Sequence, residues 1–190
     1  MTARSVLLVT HRWLGLSSSV VLSIVATSGS LLLLPDSFLA RRIAGAVHEN
    51  LAMGWVGWRV VVAASYVAAL LQIGGLALWF KKKTLRVRID GGPVRMARDL
   101  HFSLGVICLP IMFVLATTGI GRANRWGGGD SAGRSEIREL ISRLHTAEDF
   151  PWPIKALYMA GSSAFLIQSG SGIVMWWTSC RVTRSGRRAK

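Results

Sequence analysis

Four long apolar runs alternate with short polar segments along the chain. They cover residues of about 10–34, 56–80, 99–121 and 154–178, and each contains a nearly uncharged stretch. A helix that rises about 1.5 Å per residue crosses a hydrocarbon layer of about 30 Å in about 20 residues. The pattern therefore predicts an all-α membrane protein with four transmembrane helices.

The first and third runs resemble each other in sequence. Residues 11–29 are HRWLGLSSSVVLSIVATSG and residues 101–119 are HFSLGVICLPIMFVLATTG, so His, Leu, Gly, Ala, Thr and Gly recur at an offset of 90. A histidine stands at the start of both stretches. An imidazole at the end of a membrane span costs free energy unless it binds a partner.

The second and fourth runs repeat at an offset of 97. The segment HENLAMGW, which begins at His48, corresponds to HTAEDFPW, which begins at His145, and GLALWF corresponds to GIVMWW. A tandem duplication of a two-helix unit explains both offsets, with residues 1–90 as the first repeat and 91–190 as the second.

The basic residues indicate how the spans are oriented. The chain of 190 residues has a net charge of +14, and 14 of its 23 Lys and Arg lie at the N-terminus, in the 81–100 linker or after residue 178. Four spans place these three segments on one side, so the positive-inside bias predicts that both termini are cytoplasmic. The charge then serves topology and contact with anionic membrane lipids, and we expect no nucleic acid partner.

Tryptophans and cysteines fit a membrane protein without covalent haem. All eight tryptophans lie near predicted span ends, as in the aromatic belt of a membrane protein. Only two cysteines occur, and no C-x-x-C-H motif is present. No Gly-rich phosphate loop or nucleophile triad occurs either, which argues against nucleotide chemistry and hydrolysis.

The four histidines of the chain are candidate metal ligands. A pseudo-twofold axis along the membrane normal brings equivalent residues face to face, which pairs His11 with His101 and His48 with His145. Two facing imidazoles can fill both axial positions of a haem iron. The sequence predicts two such haem b groups, because no thioether link is available.

Two glycines near the histidines belong to the haem hypothesis. Gly15 and Gly105 lie one turn after His11 and His101, where a missing side chain lets a flat ring approach the helix.

Interfacial polar histidines and a zinc site are the alternatives to haem. Zinc usually takes four ligands in one place, whereas these histidines are divided between the two faces of the membrane.

Basic residues near the ends of the spans are candidate partners for haem propionates or lipid headgroups. They are Arg59, Arg122 and Lys155 on the outer side and Arg12 and Arg98 on the inner side.

The outer segments must bend to bring their histidines near the bundle. A straight continuation of the second span would hold His48 about 18 Å beyond Val60, outside the hydrocarbon. We therefore expect the segments before spans two and four to fold over the mouth of the bundle. Residues 135–144, SEIRELISRL, predict a short amphipathic helix that lies on the membrane or on a partner.

Three stretches resemble the membrane core of the PepSY-associated transmembrane proteins: THRWLGL…ATSG, HENLAMGWVGW…GLALWFKKK and LHTAEDFPWPIKAL…GIVMWW. The resemblance implies b-type haem bound through the histidines that match His11, His48, His101 and His145. It also implies electron transfer across the bacterial inner membrane, in some members to reduce ferric siderophores outside the cell.

Two functions follow as hypotheses. The first is a di-haem cytochrome b, a transmembrane oxidoreductase or its electron-transfer subunit, that passes electrons from the cytoplasmic side or the quinone pool to a periplasmic acceptor. The second is an accessory subunit with one haem or none in a larger membrane complex. The outer segments are only about 25 and 35 residues long, which favours the second.

Overall fold

The computed structural model describes residues 2–34, 38–80, 85–126 and 132–188, and these parts are helical without any strand. Their seven helices are α1 (Ala3–Leu32), α2 (Phe38–Asn50), α3 (Gly54–Trp79), α4 (Pro93–Ile107), α5 (Leu109–Ala123), α6 (Ala132–Thr146) and α7 (Trp152–Arg188). The expected all-α class is confirmed for this part of the chain.

Length and apolar composition identify the helices that could cross a membrane. Helices α1 and α3 both qualify, and α4 with α5 qualifies as a third if the bent pair is one span. The predicted fourth span lies within α7, where serines, glycines and Gln168 interrupt the apolar sequence. The described residues thus contain two or three candidate spans, and the count of four stays a prediction.

The predicted third span is bent rather than straight. Its two halves, α4 and α5, meet at Cys108 at an angle of 64°. Pro110 is the second residue of α5, and its ring lacks an N–H and clashes with the carbonyl group one turn earlier. The proline therefore ends one helix and begins the next inside the apolar run.

Short turns follow the two helices that carry His48 and His145. Leu51, Ala52 and Gly54 have φ angles of 53°, 57° and 62° between α2 and α3, and Ala147 has a φ of 49° after α6. Helix α2 packs against α1 and α3, and α6 packs against α5. Helix α6 also confirms the helix predicted for residues 135–144.

The long helices surround a gap. Helix α1 packs against α3 and α7, α4 packs against α7, and α5 packs against α3. Within the described ranges α1 and α4 do not pack directly against each other. A small core of Leu22, Ala64 and Ala68, with Phe165 beside it, fills the middle of the gap and leaves space on both sides.

An ion pair fastens the linker to the start of α4. Arg88 Nε lies 2.9 Å from Asp99 Oδ2 and Arg88 Nη2 lies 3.2 Å from Asp99 Oδ1, while the Arg88 amide also donates to this carboxylate at 3.3 Å. Asp99 is buried, and a charge in that position is tolerated when it is paired in this bidentate manner. The pair fixes the helix two residues before His101.

Candidate cofactor sites

The four histidines come together in two pairs. The linker-side pair joins His11 on α1 to His101 on α4, with ring centroids 6.3 Å apart and ring planes at 88°. The loop-side pair joins His48 on α2 to His145 on α6, with centroids 5.9 Å apart and planes at 40°. These are the partners that the two sequence offsets predict.

Main-chain oxygens determine which nitrogen carries the proton in two of the rings. His48 Nδ1 lies 2.9 Å from the carbonyl oxygen of Val25, and His101 Nδ1 lies 2.9 Å from that of Gln168. A carbonyl oxygen only accepts, so Nδ1–H donates in both rings. The Nε2 atom then keeps its lone pair and is the nitrogen left to bind a metal.

His145 is oriented in the same way by a hydroxyl group. Its Nδ1 lies 3.1 Å from Thr118 Oγ1. The Thr118 hydroxyl gives its own proton to the carbonyl oxygen of Val114, so it accepts from the imidazole. His145 Nε2 is therefore also unprotonated.

His11 has no such hydrogen bond at Nδ1. Its Nδ1 atom is buried and has no hydrogen-bond partner among the residues that the structure describes. The difference between His11 and the other three rings is a structural asymmetry between the two sites.

Glycines give the loop-side rings their space. A Cβ atom on Gly29 would lie 2.8 Å from His48 Cε1, and one on Gly119 would lie 3.1 Å from His145 Cε1. Carbon atoms in contact are normally about 3.5–4.0 Å apart. Both rings therefore rest directly on the backbone of α1 or α5.

Glycines on α3 and α7 do the same for the linker-side rings. A Cβ on Gly75 would lie 3.3 Å from His11 Cε1, and one on Gly172 would lie 3.3 Å from His101 Cε1. Sequence reasoning missed the role of these two glycines, although they begin the aligned segments GLALWF and GIVMWW.

The predicted glycines Gly15 and Gly105 both line the linker-side cavity. A Cβ on Gly105 would meet Gln168 Nε2 at 2.6 Å, and one on Gly15 would lie 3.8 Å from Leu71 Cδ2. Both glycines lie beside the histidine pair, and their contact with a cofactor stays a prediction.

Each histidine pair opens into its own cavity. The loop-side cavity has a volume of about 710 Å³ and the linker-side cavity about 490 Å³. Both volumes fall within the range of about 300–1,000 Å³ that is usual for small-molecule and cofactor pockets. Four residues line both cavities and form the partition between them: Leu22, Ala68, Gln72 and Phe165.

Basic side chains line both cavities. The loop-side cavity has three, with two acidic neighbours: Arg41, Arg122 and Lys155, beside Glu49 and Glu148. The described lining of the linker-side cavity contains Arg4 and Arg12 and no acidic residue.

Three of the five basic residues predicted for these sites line the cavities, namely Arg12, Arg122 and Lys155. The other two make different contacts: Arg59 lies over the Trp55 ring at 5.0 Å, and Arg98 lies 4.0 Å from Asp99. Sequence reasoning missed Arg4 and Arg41, because their helices had to be placed before their side chains could be assigned to a cavity.

The donor set fits a metal that needs only two protein ligands. Two metal–nitrogen bonds of about 2 Å and two imidazole half-widths of about 1.2 Å place ring centroids about 6.4 Å apart. The observed 6.3 Å and 5.9 Å are close to this separation. The described residues contain no group of three or more His, Cys, Asp or Glu that could hold a metal. A haem iron takes two imidazoles as its protein ligands, whereas zinc usually takes four protein ligands.

The comparisons with known proteins identify a family. The model of the PepSY-associated TM region matches residues 35–136, just over half of the chain, and includes His48 and His101. Comparisons with curated proteins and with solved structures found no match. The chain belongs to the family of PepSY-associated transmembrane proteins.

Proposed function

We propose that this protein is a di-haem cytochrome b that moves electrons across the bacterial inner membrane. The observation that carries the proposal is the placement of two histidine pairs, with ring centroids 6.3 Å apart in one pair and 5.9 Å apart in the other, on the walls of two adjacent cavities. Membership of a transmembrane family and the apolar helices α1 and α3 support the membrane location.

The residues of each cavity have distinct roles in this proposal. The histidines would bind the haem iron through Nε2, and the main-chain and hydroxyl acceptors hold three of the four rings with Nε2 free. Gly15 and Gly105 line the linker-side cavity beside its histidines, while Arg12, Arg122 and Lys155 are placed to neutralise propionates. With its iron held by two protein ligands, haem bound there would supply single-electron transfer and no oxygen activation.

The four-span duplication and its orientation are part of the same proposal. Equivalent contacts recur at the sequence offsets: Gly29 approaches His48 as Gly119 approaches His145, and Gly75 approaches His11 as Gly172 approaches His101. This recurrence supports two related halves with α7 as the fourth span. The basic N-terminus, linker and tail support cytoplasmic termini.

Electrons would then enter from the cytoplasmic side or the quinone pool and leave toward a periplasmic acceptor, such as a ferric siderophore. The linker-side pair lies on the entry side and the loop-side pair on the exit side. Membrane lipids surround the helices, and the acceptor or a larger membrane complex contacts the outer segments.

An absorption spectrum tests the cofactor. Purified protein should show the sharp reduced bands of low-spin six-coordinate haem b, and acid acetone should extract the haem. Protein that contains no haem after expression with ample haem supply would refute the proposal and support the accessory subunit.

Single histidine substitutions test the pairing. His145→Ala should remove or loosen one haem of two and stop electron transfer to an outer acceptor, and His48→Ala should do the same. Combining the two should add little, because residues that act as a unit are not additive. His101→Ala is the matched control that should spare the loop-side haem. Haem per protein is the measurement, and loss of different haems in His48→Ala and His145→Ala would contradict the pairing.

A further inference from the structure

The two histidines of the linker-side pair differ in their hydrogen bonds. His101 Nδ1 has the carbonyl oxygen of Gln168 at 2.9 Å and Ser171 Oγ at 3.3 Å. His11 Nδ1 is buried without a partner among the described residues. The loop-side pair has no such difference, because both of its rings have an oxygen beside Nδ1.

A single position explains part of the difference. The offset of 97 makes Gly74 the equivalent of Ser171, so the first repeat has no hydroxyl where the second repeat has one. A Cβ on Gly74 would lie 3.7 Å from His11 Nδ1. A serine hydroxyl at this position would therefore be within reach of the unpartnered nitrogen.

The hydrogen bond on Nδ1 affects a bound iron through the ring. An acceptor at Nδ1 draws the proton away and makes Nε2 a stronger electron donor, which stabilises ferric over ferrous iron. A ligand that lacks this acceptor donates less strongly. The iron beside it is then easier to reduce.

The charges that line the cavities act in the same direction. Ferric haem has one more positive charge than ferrous haem, so nearby cations favour the reduced form. The described lining of the linker-side cavity has two arginines and no acid, whereas two glutamates offset the three cations of the loop-side cavity.

We propose that the linker-side haem has the higher reduction potential of the two, and that Gly74 contributes to this difference by leaving His11 without an acceptor at Nδ1. This inference rests on the proposed function, since it requires both haems. Gly74 is a positioning residue here, because it acts through His11 and does not contact the iron.

Substitution of Gly74 provides the test. Gly74→Ser adds the missing hydroxyl, and Gly74→Ala is the matched control that adds only the Cβ. The nearest other atom to that Cβ is Leu7 Cδ1 at 3.4 Å, an ordinary contact with a flexible side chain. The Cβ that both variants share therefore fits without moving the backbone.

The measurement is a redox titration of the visible bands with dithionite and ferricyanide. The unmodified protein should give two midpoint potentials, and Gly74→Ser should move only the higher one to more negative values. We expect about a tenfold change in the ferric-to-ferrous ratio at fixed potential. This is the lower end of the effect that hydrogen-bond partners of metal ligands have on metal affinity or activity. For a one-electron couple, a tenfold change shifts the midpoint potential by about 59 mV. Gly74→Ala should leave both midpoints in place.

Assignment of the midpoints completes the test. A protein with His48→Ala and His145→Ala retains only the linker-side pair and should keep the higher midpoint. The inference is overturned if the lower midpoint remains instead, or if Gly74→Ser and Gly74→Ala have the same effect in the otherwise unmodified protein. Absence of haem from the unmodified protein would instead refute the proposed function, so the two failures are distinguishable.

Discussion

Each loop-side histidine is held in place by an oxygen of the helix beneath it. Val25 on α1 accepts from His48, and Thr118 on α5 accepts from His145. A side chain that is already ordered loses less conformational entropy when it binds a ligand. The hydrogen bonds therefore do more than satisfy buried nitrogens, since they leave two Nε2 lone pairs free for the proposed haem iron.

The close contact between Gly29 and His48 gives a prediction at this scale. Gly29→Ala would bring a methyl carbon to 2.8 Å from His48 Cε1, so the ring must move away from its position opposite His145. We expect loss of the loop-side haem or a high-spin spectrum from it, measured as haem per protein and by the reduced bands.

Gly170→Ala is the matched control for this substitution. A Cβ at Gly170 would meet no atom within 4 Å, so the variant should keep two low-spin haems. A Gly29→Ala protein that also keeps two low-spin haems would show that His48 is not constrained by α1.

The pairing of the histidines was predictable from the sequence, whereas their hydrogen bonds were not. The pairs follow from the two offsets, because equivalent residues in a duplicated bundle lie near a common axis. The acceptors of His48 and His101 are main-chain carbonyl groups, which every residue has, so no side-chain pattern marks Val25 or Gln168. Gly74 could be noticed only after Ser171 was found beside His101.

At the scale of elements, the turn after α2 brings the chain back along the bundle. The sequence predicts that this segment folds over the bundle mouth, because a straight helix would carry His48 too far from the hydrocarbon. It does not predict the position of the turn, since Leu51 and Ala52 are not turn-forming residues. Both have positive φ angles, which L-residues adopt at a cost of about 1–2 kcal/mol.

Relief of that strain is testable at Ala52. This residue is exposed and has a φ of 57°, so Ala52→Gly removes the steric cost of its side chain. Glycine also gives the unfolded chain more conformational freedom, which lowers the free energy of unfolding by about 0.4–1 kcal/mol and offsets part of this gain. We expect a net stabilisation of up to about 1 kcal/mol, measured as the free energy of unfolding in mild detergent.

Ala46→Gly is the matched control, since Ala46 is exposed in the interior of α2. Glycine in a helix interior costs about 1 kcal/mol relative to alanine, so this variant should be less stable. Equal destabilisation by both substitutions would mean that Ala52 is not strained in solution.

The bend between α4 and α5 shows a second limit of hydrophobic pattern. A largely apolar run of about 23 residues predicts one span, and Pro110 interrupts the helix without changing the apolar character of the run. The proline was the available signal, because it cannot donate a hydrogen bond within a helix. An apolar run indicates that a segment lies in an apolar environment. It does not show whether the helix through that segment is continuous.

For the whole molecule, the distribution of charge predicts the orientation. With Cys108 and Cys180 replaced by alanine, cysteine introduced at Lys82 should be protected from an impermeant thiol reagent in intact cells. Cysteine introduced at Ser131 should be labelled, because the positive-inside bias places the linker in the cytoplasm. Both positions lie outside the described residues, so the prediction rests on sequence alone. The reverse labelling would exchange the entry and exit sides of the proposed electron path.

The two cavities lie at different depths along α1. His11 belongs to one and Val25, which holds His48, borders the other. Fourteen residues of helix separate them, which is about 21 Å at 1.5 Å per residue. This is about two-thirds of a hydrocarbon layer of about 30 Å, so an electron that passed between the two proposed haems would cross most of the membrane.

The membrane potential should therefore control the distribution of electrons between the two proposed haems. One charge moved across the whole membrane changes energy by about 2.3 kcal/mol per 100 mV, so two-thirds of the distance gives about 1.5 kcal/mol, or about tenfold in the distribution. In half-reduced protein reconstituted into vesicles, a potential that is negative on the linker side should move electrons to the loop-side haem, and the opposite potential should return them. The visible bands of the two haems are the measurement, and His145→Ala protein is the control, because it has no second site to receive the electron. A distribution that does not respond to potential would place both haems at one depth and contradict transmembrane electron transfer. A response with the predicted sign would show that the membrane potential can drive electrons outward, against the higher reduction potential inferred for the linker-side haem.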